Sequence, residues 1–188
     1  MQEKNYKEAA REFRTAVDKT PEDAQANLLL GLALANTGEL DEAVKYSTIS
    51  VKLDPSYPGY YNLGLIHANQ GKYAEAIEAY ENAVKLNPTS FQAWHQLGKV
   101  YATDLKFNKA IEAYGKVIEL NPRFPDAYQG LGSADYWNDD LTGAKAQVEK
   151  LRTLKFATKA DELERWIKDK EAKKKKAAGK SEKAANLK

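Results

Sequence analysis

His67 and His95 are the only imidazoles in this 188-residue chain, and cysteine is absent. Imidazole and thiolate supply most zinc ligands and most nucleophiles and bases that work near neutral pH. The inventory for such chemistry is therefore short. The two histidines stand 28 residues apart, with no second histidine one helical turn away and no carboxylate cluster at ligand spacing. Neither a metal site nor any other cofactor is expected. Glu75, Glu78 and Glu81 recur at helical spacing and read as a solvated outer face, not as a paired acid and base. The glycines form no phosphate-cradling run, and no disulfide can form. The chain is expected not to be an enzyme. What remains for molecular recognition is a set of Asn and Gln amides, an aromatic complement and the lysine run Lys173–Lys176.

The elements that carry these side chains follow from a repeat. Gly31, Gly64, Gly98 and Gly132 recur every 33 or 34 residues, in step with Pro21, Pro55, Pro88 and Pro122 and with Ala9, Ala43, Ala76, Ala110 and Ala144. A period of this length marks one supersecondary unit copied along the chain. Each copy contains two helical periods. Trp94, Leu97, Gly98 and Tyr101 share one helix face; after a turn near Asp104–Lys106, Phe107, Ala110, Ile111, Tyr114, Val117 and Ile118 mark a second amphipathic helix. Asn121-Pro122 stops it, because proline disfavours helical geometry in the preceding residue. Gly98 and Ala110 are expected where paired helices approach closely. Gly38 and Gly71 fall in the turns, where a positive φ is cheap for glycine. Leu105 and Asp139 hold that place later, so those turns are expected to be less regular. His67 falls at a core-facing aromatic position and reads as a buried stand-in for tyrosine.

Trp94-x2-Leu97-Gly98-x2-Tyr101, Ala110-x3-Tyr114 and Pro122 resemble the signature of the tetratricopeptide repeat. Tyr61, Leu63-Gly64, Gly71, Tyr73, Ala76, Tyr80, Ala83 and Pro88 repeat it with a one-residue shortening at Ser56-Tyr57-Pro58. Leu30-Gly31, Gly38, Leu40, Ala43 and Pro55 give a weaker copy, with Asn27 at the tryptophan position, and Tyr128, Leu131-Gly132, Leu141 and Ala144 a last one. The resemblance implies an all-α fold, a right-handed α-solenoid of stacked antiparallel helix pairs. Its divisions are 1–21, the second helix of a truncated leading repeat; 22–55, 56–90, 91–124 and 125–157, four repeats; 158–176, a capping helix; and 177–188, a disordered basic tail. Ala160, Leu163, Trp166 and Ile167 form the apolar stripe of the capping helix, with Trp166 as a core anchor.

The resemblance further implies a concave surface lined by the first helix of each pair, holding a partner's peptide or helix. By phase, that surface takes Gln25, Leu28, Leu29, Leu32 and Asn36, then Tyr61, Asn62, Leu65 and Asn69. Next come Gln92, His95, Gln96, Lys99 and Thr103, and then Asp126, Gln129, Ser133, Tyr136 and Trp137. The lining is rich in amides and aromatics and poor in charge, which suits a neutral peptide backbone. Family members that grip a chaperone's acidic terminus use a clamp of Lys and Asn, then Asn, then Lys and Arg. Those positions hold Leu28, Leu32, Asn62, Gln92 and Gln96 here, so that role is rejected. The partner is expected to be a protein or peptide. The alternative is self-association into homo-oligomers through an apolar N-terminal edge at Leu28, Leu29 and Leu32.

From Lys155 onward there are 12 basic and 6 acidic residues, against a net charge of +2 for the whole chain. The repeat body is therefore mildly acidic and the tail basic. The lysine run has no interleaved aromatics, so nucleic acid is not an expected partner. No apolar run reaches the roughly 18 residues of a membrane span, and a membrane is not expected either. The N-terminus shows no signal-peptide pattern. The half-repeat there suggests a trimmed chain, so the cytoplasm is favoured only slightly over export with a leader removed.

Overall fold

The computed structural model describes the backbone of residues 2–185 and the side chains of residues 5–179. Ten α-helices and no strand occur among the described residues: α1 (Gln2–Lys19), α2 (Ala24–Thr37), α3 (Leu40–Leu53), α4 (Tyr57–Asn69), α5 (Tyr73–Leu86), α6 (Phe91–Thr103), α7 (Phe107–Leu120), α8 (Pro125–Trp137), α9 (Leu141–Thr153) and α10 (Ala157–Ala185). They fall into two compact units, Met1–Leu105 and Lys106–Lys188. Within each unit every helix packs against the next one in sequence, giving an all-α array of stacked helix pairs.

Local chemistry sets the helix starts. Asp23 accepts from the Ala26 amide to open α2, Ser90 from the Ala93 amide to open α6, and Asp140 from the Thr142 and Gly143 amides to open α9. Each satisfies amides that a first helical turn leaves without partners. Between pairs a side chain closes the loop: Asn27, Trp94 and Tyr128 each donate to the carbonyl of the proline six residues earlier, Pro21, Pro88 and Pro122. Counted back four residues from Gly64, the corresponding residue in the shortened repeat is Tyr60, not the Tyr61 that the signature suggested.

Inside each pair the small residues do what their spacing implies. A Cβ on Gly31 would lie 2.3 Å from Ser47 Oγ, and one on Gly64 2.7 Å from the Tyr80 ring. Leu30, Leu34, Ile66 and Tyr80 are completely buried in the first unit. In the second, Leu151, Leu163 and Ile167 form the core where α8, α9 and α10 meet. Burying each such side chain is worth about 1.5–3 kcal/mol.

Three expectations are corrected. The later turns are as regular as the glycine ones: Leu105 (φ 57°), Asp139 (φ 68°) and Lys155 (φ 66°) adopt the left-handed conformation of Gly38 (φ 88°) and Gly71 (φ 72°). The helix-ending bonds hold the backbone there; the amides of Glu39, Lys72, Asp140 and Phe156 reach the carbonyls of Leu34, His67, Asp135 and Leu151. Trp166 is no core anchor, being 37% exposed, and Ala160, Leu163 and Ile167 suffice for the apolar stripe of α10. Finally, α10 continues to Ala185, past residue 177 where order was expected to end. Low hydrophobicity argues against a packed core, but alanine and lysine both favour the helix locally. Residues 186–188 lie outside the described residues.

Candidate partner-binding groove

The first unit contains a groove of about 920 Å³. One wall is α2, where Gln25, Leu28, Leu29 and Leu32 fall at i, i+3, i+4 and i+7 and so share a face. The facing wall is α4, with Tyr57, Pro58, Tyr61, Asn62 and Leu65. The end wall is the loop into α6: Asn87, Thr89, Ser90, Phe91 and Gln92. None of these residues carries a charge. Leucine, proline and aromatic side chains share the lining with amides and hydroxyls, of which Gln25 and Gln92 are exposed and Asn62 and Ser90 buried.

The walls are held in place by specific contacts. Tyr57 and Ser90 share a hydrogen bond between their hydroxyls at 2.8 Å, which ties the start of α4 to the cap of α6. Tyr61 lies 5.7 Å from Tyr57 and 5.8 Å edge-on from the buried Tyr80, so its ring is fixed from two sides. Asn62 is buried, and its Nδ2 donates to Ser47 Oγ at 3.2 Å. Its amide is therefore partly committed to helix packing. Such a site arrives with its aromatic rings already ordered, which lowers the entropy cost of binding.

Among the residues expected on the concave face, Gln25, Leu28, Leu29, Leu32, Tyr61, Asn62, Leu65 and Gln92 are brought together here. Leu28 is largely buried at 8% exposure, whereas Leu32 is 41% exposed. Asn36, Asn69 and Lys99 are exposed but do not line the groove, and Asn36 donates to the Leu32 carbonyl of its own helix. His95 and Gln96 are half-buried on α6, also outside it. The groove gathers at the N-terminal ends of α2, α4 and α6, and these residues lie further along their helices. Tyr57, Pro58, Asn87, Thr89, Ser90 and Phe91 were missed. Their signal was the 33-residue separation of Tyr57 and Ser90, which puts both at the start of a first helix.

In the second unit Gln129 is occupied by α10, donating to Glu162 at 3.0 Å and accepting from Lys159 at 2.6 Å. Tyr136 is half-buried beneath Lys170, and Trp137 is 61% exposed. His67 is half-buried rather than enclosed; burial holds its pKa below the usual histidine value. No group of acidic and imidazole ligands able to hold a metal occurs among the described residues.

Residues 1–58, 57–90 and 79–112 match family models described as tetratricopeptide repeat, and residues 106–137 match one described as TPR repeat. The chain belongs to the tetratricopeptide-repeat family. Among solved structures this tetratricopeptide-repeat chain is similar to one titled crystal structure of MamA. The two are 29% identical with a TM-score of 0.73, over 92% of this chain and 94% of that chain. It is also similar to MamA 41-end from Desulfovibrio magneticus RS-1, at 29% identity and a TM-score of 0.71, over 85% of this chain and 86% of that one. A structure of Naa15/Naa10 bound to HypK-THB shares the fold, with 20% identity and a TM-score of 0.64, over 81% of this chain and 23% of that chain. No curated protein sequence matches the chain. Tetratricopeptide-repeat proteins are in general non-enzymatic, and the chain is a scaffold for protein–protein interaction.

Proposed function

We propose that the first unit binds an uncharged, apolar segment of a partner protein, a helix or extended peptide, in the groove between α2 and α4. The observation that carries this reading is the absence of any charged side chain from the groove lining. Desolvating an acidic or basic ligand there would find no compensating charge, whereas leucine or aromatic side chains would exclude water from Leu29, Leu32 and Leu65. The exposed amides of Gln25 and Gln92 can donate to or accept from peptide groups of either polarity. The same argument disfavours capture of a terminal carboxylate, which needs cations.

Selection from a library of displayed 16-residue peptides tests the reading. The expected outcome is enrichment of sequences with two or more large apolar residues and no charge between them. Leu32→Glu and Tyr61→Ala should each weaken such a peptide about tenfold or more. Enrichment of charged sequences, or binding indifferent to both substitutions, would sink it.

Self-association is a second reading. Leu32 at 41% and Tyr6 at 38% exposure leave apolar surface on the first unit. A mass by light scattering that rises with concentration, and returns to that of one chain in Leu32→Glu, would support it. A constant single-chain mass would remove it.

A further inference from the structure

The second unit carries an aromatic and basic surface well away in sequence from the groove lining. Tyr136 is its centre. Its ring lies 5.2 Å from Trp137 and 6.3 Å from Trp166, and Lys170 Nζ stands 4.4 Å above it. Trp137 stacks on Phe107 at 6.4 Å yet remains 61% exposed, and Trp166 is 37% exposed. On α10, Trp166, Lys170, Lys173 and Lys174 fall at i, i+4, i+7 and i+8, so the tryptophan and the lysines share one helix face. Lys170, one turn before the lysine run, thus has an aromatic neighbour supplied by α8.

Much of the positive charge beyond this point is not neutralised by the chain itself. Asp139 pairs with Lys170 at 3.1 Å and Lys174 at 2.6 Å, and Lys145 with Glu171 at 2.7 Å. Lys173 and Lys176 form no ion pair among the described residues, and residues 172–179 are all exposed. Like charges on adjacent turns of one helix repel, and a helical stretch without packed neighbours is only marginally stable. An acidic partner would relieve both conditions.

We propose that this surface docks an acidic peptide segment of a partner protein. Its carboxylates would meet Lys173 and Lys176, and an apolar residue would rest on Trp137 and Trp166. Single-stranded nucleic acid is disfavoured by the rings themselves. Tyr136 is perpendicular to Trp137 (85°) and tilted 51° from Trp166, so they offer no run of parallel stacking faces. A membrane is disfavoured by residues 172–179, whose apolar members are only alanine and glycine and give the helix nothing large to insert. The surface is separate from the groove of the first unit, so either proposal can fail alone.

The test uses the full chain and a fluorescein-labelled 14-residue probe with six glutamates around a central Leu-Phe pair. A lysine analogue of the probe, oligothymidylate and phosphatidylglycerol vesicles serve as comparisons. The glutamate probe should bind, with a change in tryptophan emission, and the lysine analogue should bind at least tenfold more weakly. Trp137→Ala and the double change Lys173→Gln, Lys176→Gln should each weaken binding at least tenfold. Leu32→Glu, in the first unit, should leave it unchanged. Trp137 and the two lysines are exposed, so these variants are expected to keep the native circular dichroism. The proposal is overturned if the probe fails to bind, if Trp137→Ala binds it as well as the native chain, or if only the oligonucleotide or vesicles bind.

Discussion

Trp94 donates its indole Nε1 hydrogen to the carbonyl oxygen of Pro88 at 2.9 Å. The bond closes the loop between two helix pairs at a point where proline has removed a backbone donor and the chain turns. Tyr128 and Pro122 do the same with a hydroxyl at 2.9 Å, and Asn27 does it with an amide that reaches both Pro21, at 2.9 Å, and Asp23, at 2.8 Å. Three different side chains thus serve one structural need. Tyr128→Phe should cost about 1 kcal/mol and Asn27→Ala about 2 kcal/mol, since the amide makes two bonds and is completely buried. Repeat arrays need not unfold in one step, so amide hydrogen exchange in α2 and α8 is the suitable measurement. Unchanged protection in Tyr128→Phe would mean that water replaces the hydroxyl without loss.

Gly64 and Gly132 look equivalent by their period but differ in what surrounds them. A Cβ at Gly64 meets the rigid ring of the completely buried Tyr80; at Gly132 it meets, at 2.4 Å, the terminal methyl of Leu163, which is as buried but ends in a rotatable bond. Gly64→Ala is expected to destabilise the first unit by about 2–3 kcal/mol, and Gly132→Ala the second by less, about 1–2 kcal/mol. Thermal melts of the two variants decide it, and equal losses would show that Leu163 is as constrained as Tyr80.

The glycine, alanine and proline period made the helix pairs legible because one packing requirement recurs at each copy. Gly64 has to be small wherever Tyr80 comes close, and the sequence records that directly. The groove was legible only in part. Phase along α2 and α4 found Leu32, Tyr61 and Leu65, but phase alone cannot say how far along a helix an opening extends. Asn36, Asn69 and Lys99 share the favoured phase and lie outside it. Tyr57 and Ser90 were missed because they sit at helix starts, where the amphipathic pattern has not begun. Gln129 was read as open because the reach of Lys159 and Glu162 from α10 is a tertiary fact.

Leu105 holds a left-handed backbone (φ 57°) with its side chain 73% exposed. A left-handed conformation costs a branched L-residue about 1–2 kcal/mol, while glycine there would lose about 0.5–1 kcal/mol more backbone entropy on folding. Little buried surface is forfeited. Leu105→Gly should therefore stabilise the protein by about 0.5–1 kcal/mol, seen as a higher melting temperature. A lower one would mean that the leucine makes a contact worth more than its strain.

Asp135 is buried at the end of α8, and burial, with the nearby Asp140 carboxylate adding to it, pushes its pKa up to about 6. An acid whose folded pKa exceeds its unfolded value binds more protons in the folded state. Stability from this group is therefore present at low pH and falls as pH rises from about 4 to about 6. The shift corresponds to a loss of about 2–3 kcal/mol by neutral pH. Asp135→Asn keeps the size and removes the charge, so it should stabilise the second unit at pH 7 and have little effect at pH 4. The difference between native and variant melting temperatures, followed from pH 4 to pH 7.5, isolates this carboxylate from the paired ones. Asp139, Glu164 and Glu171, held low chiefly by hydrogen bonds from Lys174, Lys168 and Lys145 respectively, act in the opposite sense and are common to both chains. A difference that stays flat across the range would mean that Asp135 is as well solvated folded as unfolded.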